Sequence, residues 1–323
     1  MLKYFVIVLD DTSVSYCYYE NSKIERKLIS LEDLKAGVIF AMKENMTIQF
    51  VYPDYELPEE YKDVIHSIDH VKIVPASYDE QGDVIVLNGT SDIQNTDFDI
   101  YKTYILRLNK ADLFANIDLV RNAFDKVHRL NLVIKDLYAF TEDDFVLYKE
   151  SLKILSNKLE TLLLEGCSPQ CNLLTDRMLL TSMNNCNAGC ENITLAPDGK
   201  FYVCPAFYLA CDEEDYGLDK SKFSIGNLNG GGLEIKNPQL YKLSHAPICR
   251  NCDAYQCKRC VWLNRKMTYE LNTPSHEQCV VAHLERNASR ELIHNIRKHA
   301  EFLPHIQINE IRYLDPFDLR KEW

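Results

Sequence analysis

The chain has 323 residues, 46% apolar and 26% charged, which fits two domains of roughly 100 to 200 residues and excludes a disordered or fibrous protein. Thirty-six basic against forty-eight acidic side chains leave a net charge of −12, so a phosphate backbone is not the expected partner and no nucleic acid is assigned. No apolar run approaches the roughly 20 residues of a bilayer span, and the start lacks the pattern of a secretory signal; no membrane contact and a cytoplasmic location are expected.

Before Cys167 short apolar runs alternate with amphipathic stretches. Tyr4 to Leu9, Ile48 to Tyr52, Val71 to Val74, Val84 to Leu87, Tyr104 to Leu108 and Leu132 to Ile134 read as buried strands, being brief and rich in Val, Ile, Leu, Tyr and Phe. Leu31 to Asn45, opened by Ser30 and Asp33, reads as a helix, as do Asp118 to Val127 and Glu142 to Lys158 with apolar residues at helical spacing. His66 and His70 share that spacing and suggest an exposed helical face. The alternation predicts an α/β fold, a parallel sheet covered by helices and either open or curled into a partial barrel.

From Cys167 the texture changes to Asn, Gly and Pro-Asp-Gly turns, a region able to bury little apolar area per residue. Eleven of the twelve cysteines lie between Cys167 and Cys279, and in a reducing compartment such clustering points to metal ligands or redox groups. Cys186, Cys190 and Cys204 form one group. Between the last two, Ile193 to Val203 reads as two short strands around Pro197-Asp198-Gly199, a locally specified hairpin that returns Cys204 towards Cys190. Cys249, Cys252, Cys257 and Cys260 form a dense run of two Cys-x-x-Cys steps, followed after eighteen residues by Cys279. Two thiolates two residues apart can face one metal ion or cluster. One zinc on the dense run would leave Cys186, Cys190, Cys204 and Cys279 without a role. Eight thiolates divide equally well into two zinc sites or two iron-sulfur clusters, and spacing leaves zinc and iron both open. The plainer alternative is a set of small buried hydrophobes. Cys167, Cys171 and Cys211 stand outside both groups; Cys167-x3-Cys171 fits a helix face, and all three read as core or spare thiols. His245, just before the dense run, is a candidate donor to a ligating sulfur. Gly230 to Gly232 lacks the Lys-Ser or Lys-Thr of a phosphate loop and reads as a flexible connector. After Cys279, Val280, Leu284, Leu292, Ile293 and Ile296 offer the apolar stripe of a helix that packs back on the first half.

The ordered set of Cys186, Cys190, Pro-Asp-Gly and Cys204, the dense run and a solitary last cysteine resembles the SPASM domain, the auxiliary-cluster module of radical SAM peptide-modifying enzymes. The last two gaps of the dense run are four and two residues where the family pattern has five and three. The resemblance covers roughly the last third of the chain. It implies one [4Fe-4S] cluster on Cys186, Cys190, Cys204 and Cys260, and a second on Cys249, Cys252, Cys257 and Cys279. It also implies a partial (β/α) barrel over 1–180 resembling the radical SAM core, a SPASM-like iron-sulfur domain over 181–282, and a C-terminal helix and tail over 283–323.

A radical SAM core carries CxxxCxxC just after its first strand. Here the matching positions are Asp10, Val14 and Cys17, with Tyr16 as the preceding aromatic residue. One thiolate cannot hold a cubane cluster. Gln49 to Pro58 stands where a Gly-Gly-Glu-Pro segment belongs, with Glu56 and Pro58 its only echo. S-adenosylmethionine is therefore not an expected cofactor, and Cys17 with Tyr16 reads as core. This eroded barrel, the opening Val8 to Cys17 and the SPASM-like end together look most like the CXXX repeat peptide maturase family, which accompanies cysteine-repeat precursor peptides and a radical SAM enzyme. The resemblance implies a role in ribosomal peptide maturation: a cluster-binding accessory that grips a cysteine-repeat precursor peptide, with its acidic surface suited to a basic leader, and presents it to a radical SAM maturase partner. A peptide-modifying enzyme in its own right and a zinc-stapled interaction module are the alternatives.

Overall fold

A computed structural model describes residues 2–78, 82–210, 223–228, 230 and 232–309. Cys211, Gly231 and the tail from 310 onward lie outside the described residues. Among those described, the elements run β1 (Tyr4–Val8), α1 (Leu31–Lys43), β2 (Thr47–Val51), α2 (Glu59–His66), β3 (His70–Pro75), β4 (Val84–Asn88), α3 (Thr90–Asn95), β5 (Thr103–Leu108), α4 (Lys110–Ala115), α5 (Ile117–Ala123), β6 (Arg129–Ile134), α6 (Glu142–Leu164), β7 (Gln170–Cys171), α7 (Thr175–Leu179), β8 (Asn192–Leu195), β9 (Lys200–Tyr202), α8 (Ala206–Leu209), β10 (Gly226–Asn227), α9 (Val261–Thr268) and α10 (His276–Ile296).

One ten-stranded sheet runs through the molecule in the order β10-β9-β8-β1-β2-β3-β4-β5-β6-β7. From β1 to β7 each strand lies parallel to its successor, as expected where short buried strands alternate with crossovers. The hairpin β8-β9 does not form a separate sheet. β8 pairs in parallel with β1, Tyr4 opposite Asn192, and β9 and β10 continue antiparallel.

Alternation along the strands gives the sheet two apolar faces. Phe5, Ile7, Phe50, Leu87 and Leu106 belong to the large core. Gly37 of α1 lies so close to this face that a Cβ there would meet Leu195 Cδ2 at 2.5 Å. On the other face Val6, Val51, Ile73 and Val86 pack with Val14, and Tyr16 and Ile105 lie against them. The loop after β1 therefore covers part of the second face, with Val14 and Tyr16 packed on it.

Helix α6 opens with a capping box between Thr141 and Asp144 and runs past Lys158 to Leu164, because Leu159 and Leu162 continue its buried stripe. Helix α10 packs along it, Tyr148 Oη donating to Glu285 Oε1 at 2.7 Å, and against the turn between β7 and α7, where Ser289 Oγ donates to the Leu174 carbonyl at 2.9 Å. A second capping box, Ser275 with Gln278, starts α10, so Cys279 sits inside its first turns. No helix among the described residues is long and apolar enough to cross a membrane.

Three expectations need correction. His66 ends α2 and His70 begins β3, so the two do not share a helix; Ser67 to Asp69 turn the chain between them. Cys167 and Cys171 do not share one either, since Gly166 at φ +86° ends α6 and Cys171 is buried in β7. The helix expected over Asp118 to Val127 is the shorter α5.

Candidate metal centre

The site begins in the loop after β1. Asp10 is buried and fully engaged: Oδ1 accepts from the Thr12 backbone N–H at 2.8 Å and the Thr12 hydroxyl at 2.6 Å, and Oδ2 accepts from Tyr55 Oη at 2.8 Å. Asp11 accepts from Tyr208 Oη at 2.5 Å and pairs with Lys23 at 3.1 Å. Val14 packs into the second face of the sheet. The place where a CxxxCxxC loop would carry its first two thiolates is thus closed by carboxylate networks and an apolar contact.

Cys17 follows, held by a residue the sequence reading missed. Arg107, on β5 and 2% exposed, donates from Nε to the Cys17 carbonyl at 3.0 Å, from Nη2 to the Tyr19 carbonyl at 2.5 Å, and from Nη1 to Asn88 Oδ1 at 2.8 Å. A buried cation with these acceptors pins the Cys17 to Glu20 turn over the sheet. The signal in sequence was only an arginine inside an apolar strand run, Tyr104 to Leu108.

The hairpin and the dense run meet through backbone bonds, Asn184 N–H to the Tyr255 carbonyl at 2.7 Å and Cys186 N–H to the Lys258 carbonyl at 2.9 Å. Arg259, 1% exposed, lies at this junction, donating from Nε to Asn185 Oδ1 at 2.7 Å and from Nη2 to the Tyr241 carbonyl. Burial holds its guanidinium below the usual arginine range, while the nearby thiols of Cys249, Cys186, Cys257 and Cys190 act in the opposite sense.

These elements enclose a cavity of about 210 Å³ on the second face of the sheet. Its floor is Tyr4 and Val6 of β1, Gln49 of β2 and Asn192 of β8, and its wall includes Tyr16, Tyr19 and Trp262. Four cysteines line it: Cys186, Cys204, Cys260 and Cys17. Cys190 does not line it; it sits in the turn from Asn187 to Asn192, where its N–H donates to the Asn187 carbonyl at 2.9 Å.

Cys249, Cys252 and Cys257 form a second group, each within electrostatic range of another member. His283, one helical turn beyond Cys279 on the same face of α10, places Nε2 3.6 Å from Cys252 Sγ, so this face of α10 is turned to the dense run. His283 was not singled out from sequence. His245 instead has Ser244 Oγ beside its Nδ1 at 3.1 Å. Asp253 anchors the loop through Arg286, whose Nη2 lies 2.6 Å from Oδ2.

Burial pushes the thiols of Cys257 and Cys260 up to about 12 and of Cys249 to about 11, and drives those of Cys17, Cys186 and Cys204 upward as well. Backbone N–H groups act in the opposite sense: Ala188 on Cys186, Ala206 on Cys204, Trp262 and Leu263 on Cys260, Arg259 on Cys257, and Ala254 on Cys252 at 3.5 Å. Desolvated thiols ringed by N–H donors suit a thiophilic metal, which takes up sulfur as thiolate and releases the protons.

Among the described residues no three His, Cys, Asp or Glu side chains converge on one point as a single ion requires. A cubane takes one thiolate per iron, so its ligands stand around a volume, which is the disposition of the cysteines about the cavity. Tyr19 Oη and Trp262 Nε1, buried polar atoms of two lining residues, have no hydrogen-bond partner among the described residues. Donors of this kind match the sulfides of a cluster. The residues present therefore fit an iron-sulfur group.

The fold is similar to that of anSMEcpe. Solved with bound AdoMet, anSMEcpe superposes with a TM-score of 0.61 at 15% identity over 91% of this chain and 99% of its own. Its complex with AdoMet and the Cp18Cys peptide gives a TM-score of 0.58 at 14% identity over the same shares. No protein-family model and no curated protein matches the chain. At this identity the likeness is one of fold, and it bears out the expected α/β class with a largely parallel sheet.

Proposed function

We propose that this chain is an iron-sulfur protein of ribosomal peptide maturation, binding a cysteine-repeat precursor peptide and assisting its modification by a radical SAM partner. The observation that carries the proposal is the pairing of a thiol-lined cavity with a first loop in which Asp10 and Val14 are committed to other contacts. Clusters survive where the SPASM resemblance places them, over 181–282 beside the barrel of 1–180. A cluster that cleaves S-adenosylmethionine has no thiolate set in the first loop. The anSMEcpe complex with a bound peptide supports a peptide as the ligand of this fold. The net charge of −12 suits a basic leader segment. Recognition and presentation, in the cytoplasm, are the tasks assigned; SAM cleavage falls to the partner.

The test is purification without oxygen, followed by iron, sulfide and zinc analysis with visible absorption. Two cubanes give a brown protein with about eight irons per chain. Stoichiometric zinc without iron overturns the cofactor assignment in favour of a zinc staple. Fluorescence anisotropy of the iron-loaded protein with a labelled cysteine-repeat peptide carrying a basic leader tests the second half. Binding that weakens as salt rises is expected, and no binding overturns the accessory role.

A further inference from the structure

We infer that Cys17 is the fourth thiolate of the first cluster, joining Cys186, Cys204 and Cys260 in the place that the family resemblance gives to Cys190. The inference deepens the iron-sulfur reading above and rests on it. Read along the chain, Cys17 is the leftover of a lost motif. Read in space, it is one of four cysteines lining one cavity.

The four arrive from three directions. The β1 loop brings Cys17, the two sides of the β8-β9 hairpin bring Cys186 and Cys204, and the start of α9 brings Cys260. The parallel register of β8 on β1, Tyr4 opposite Asn192, sets the hairpin beside the loop. Arg107 then fixes the loop from beneath through the carbonyls of Cys17 and Tyr19, so Cys17 is held rather than left to wander. Burial raises the thiols of Cys17 and Cys204, and their neighbours add to it, Cys186 and Cys260 for Cys17, and Cys260, Cys186 and Cys17 for Cys204, which agrees with the shared cavity.

A second, independent observation points to a ligand in the same space. Tyr19 and Trp262 are 2% and 3% exposed, line this cavity and leave Oη and Nε1 without a partner among the described residues. Leaving a buried donor unmet is costly, so two at one cavity are explained by acceptors that occupy it. Sulfides of a cubane supply them. The cavity is also smaller than the roughly 300 Å³ of ordinary organic-ligand pockets, which favours a compact inorganic group. Cys190, in its own tight turn, is free of this role.

The experiment uses full-length protein purified anaerobically, reading iron per chain and the EPR spectrum after dithionite reduction for wild type, Cys17→Ala, Cys17→Ser, Cys190→Ala and Cys204→Ala. Cys17→Ala and Cys204→Ala are expected to lose up to about half the iron or to convert one cluster to a three-iron form. Cys190→Ala is expected to keep wild-type iron and spectrum. Cys17→Ser, nearly isosteric, is expected to keep the wild-type thermal melt while shifting the g values of one cluster, a change that a packing role does not produce. Wild-type iron and EPR in both Cys17 variants overturn the inference and leave the iron-sulfur reading standing. A wild-type protein without iron overturns that reading itself.

Discussion

Glu285 shows how a single buried group records its surroundings. It lies under α6 with Tyr148 Oη at 2.7 Å and Gln256 Nε2 at 3.2 Å, and burial pushes its carboxyl up to about 7 despite both donors. A carboxyl raised in the folded state holds its proton more tightly there than in the unfolded chain. Its contribution is complete below the ordinary glutamate value of 4.5 and is lost as pH climbs through about 7. Urea midpoints of the wild type are expected to fall between pH 5 and 8, with a slope of up to about 1.4 kcal/mol per pH unit from this group. Glu285→Gln flattens that slope, and an unchanged slope would show that Glu285 is ionised throughout. This could not be read from sequence, because Glu285 stands among charged and polar helix residues; only the packing of α10 on α6 buries it.

At the scale of elements, the turn between Cys186 and Cys190 is set by Asn187 at φ +58° and Gly189 at φ +72°. A Cβ on Gly189 would lie 2.7 Å from the Tyr241 ring, whose backbone carbonyl receives Arg259. Gly189→Ala is expected to cost about 1 to 3 kcal/mol in chemical denaturation and to lower iron loading by displacing the junction of hairpin and dense run. Much of this level was legible in sequence. Strands announced themselves as short apolar runs, and Gly199 at φ +75° closes the hairpin predicted from Pro-Asp-Gly. Short helices such as α2 and α7 escaped notice because five to eight residues carry too little periodicity. The company Cys17 keeps escaped for another reason: it depends on β8 choosing β1 as its neighbour, a pairing with no local signal. A search for thiols near the end of β1 could have found it only with that pairing in hand.

For the whole molecule, the proposed clusters would knit a turn-rich region to a conventional sheet. Removing the metal from folded protein by chelation is expected to raise hydrogen exchange across 184–206 and 249–262, while β2 to β6 stay protected by their parallel ladders. Exchange measured by mass spectrometry on loaded and stripped protein checks this, and uniform loosening would mean that the clusters hold the sheet as well. The C-terminal half is not hung on the parallel strands by a linker, since Lys3 and Glu191, 188 positions apart, are joined by an ion pair of 2.6 Å at the β1-β8 seam.

That seam also sets a schedule. The ribosome releases β1 long before β8 exists, so the first strand waits with one border bare until the hairpin emerges, and the cavity cannot close earlier. On the proposed cluster reading, iron would enter this pocket late in the protein's life, after most of the polypeptide has been made, and the nascent sheet would need shelter from oxidants and from other chains until then.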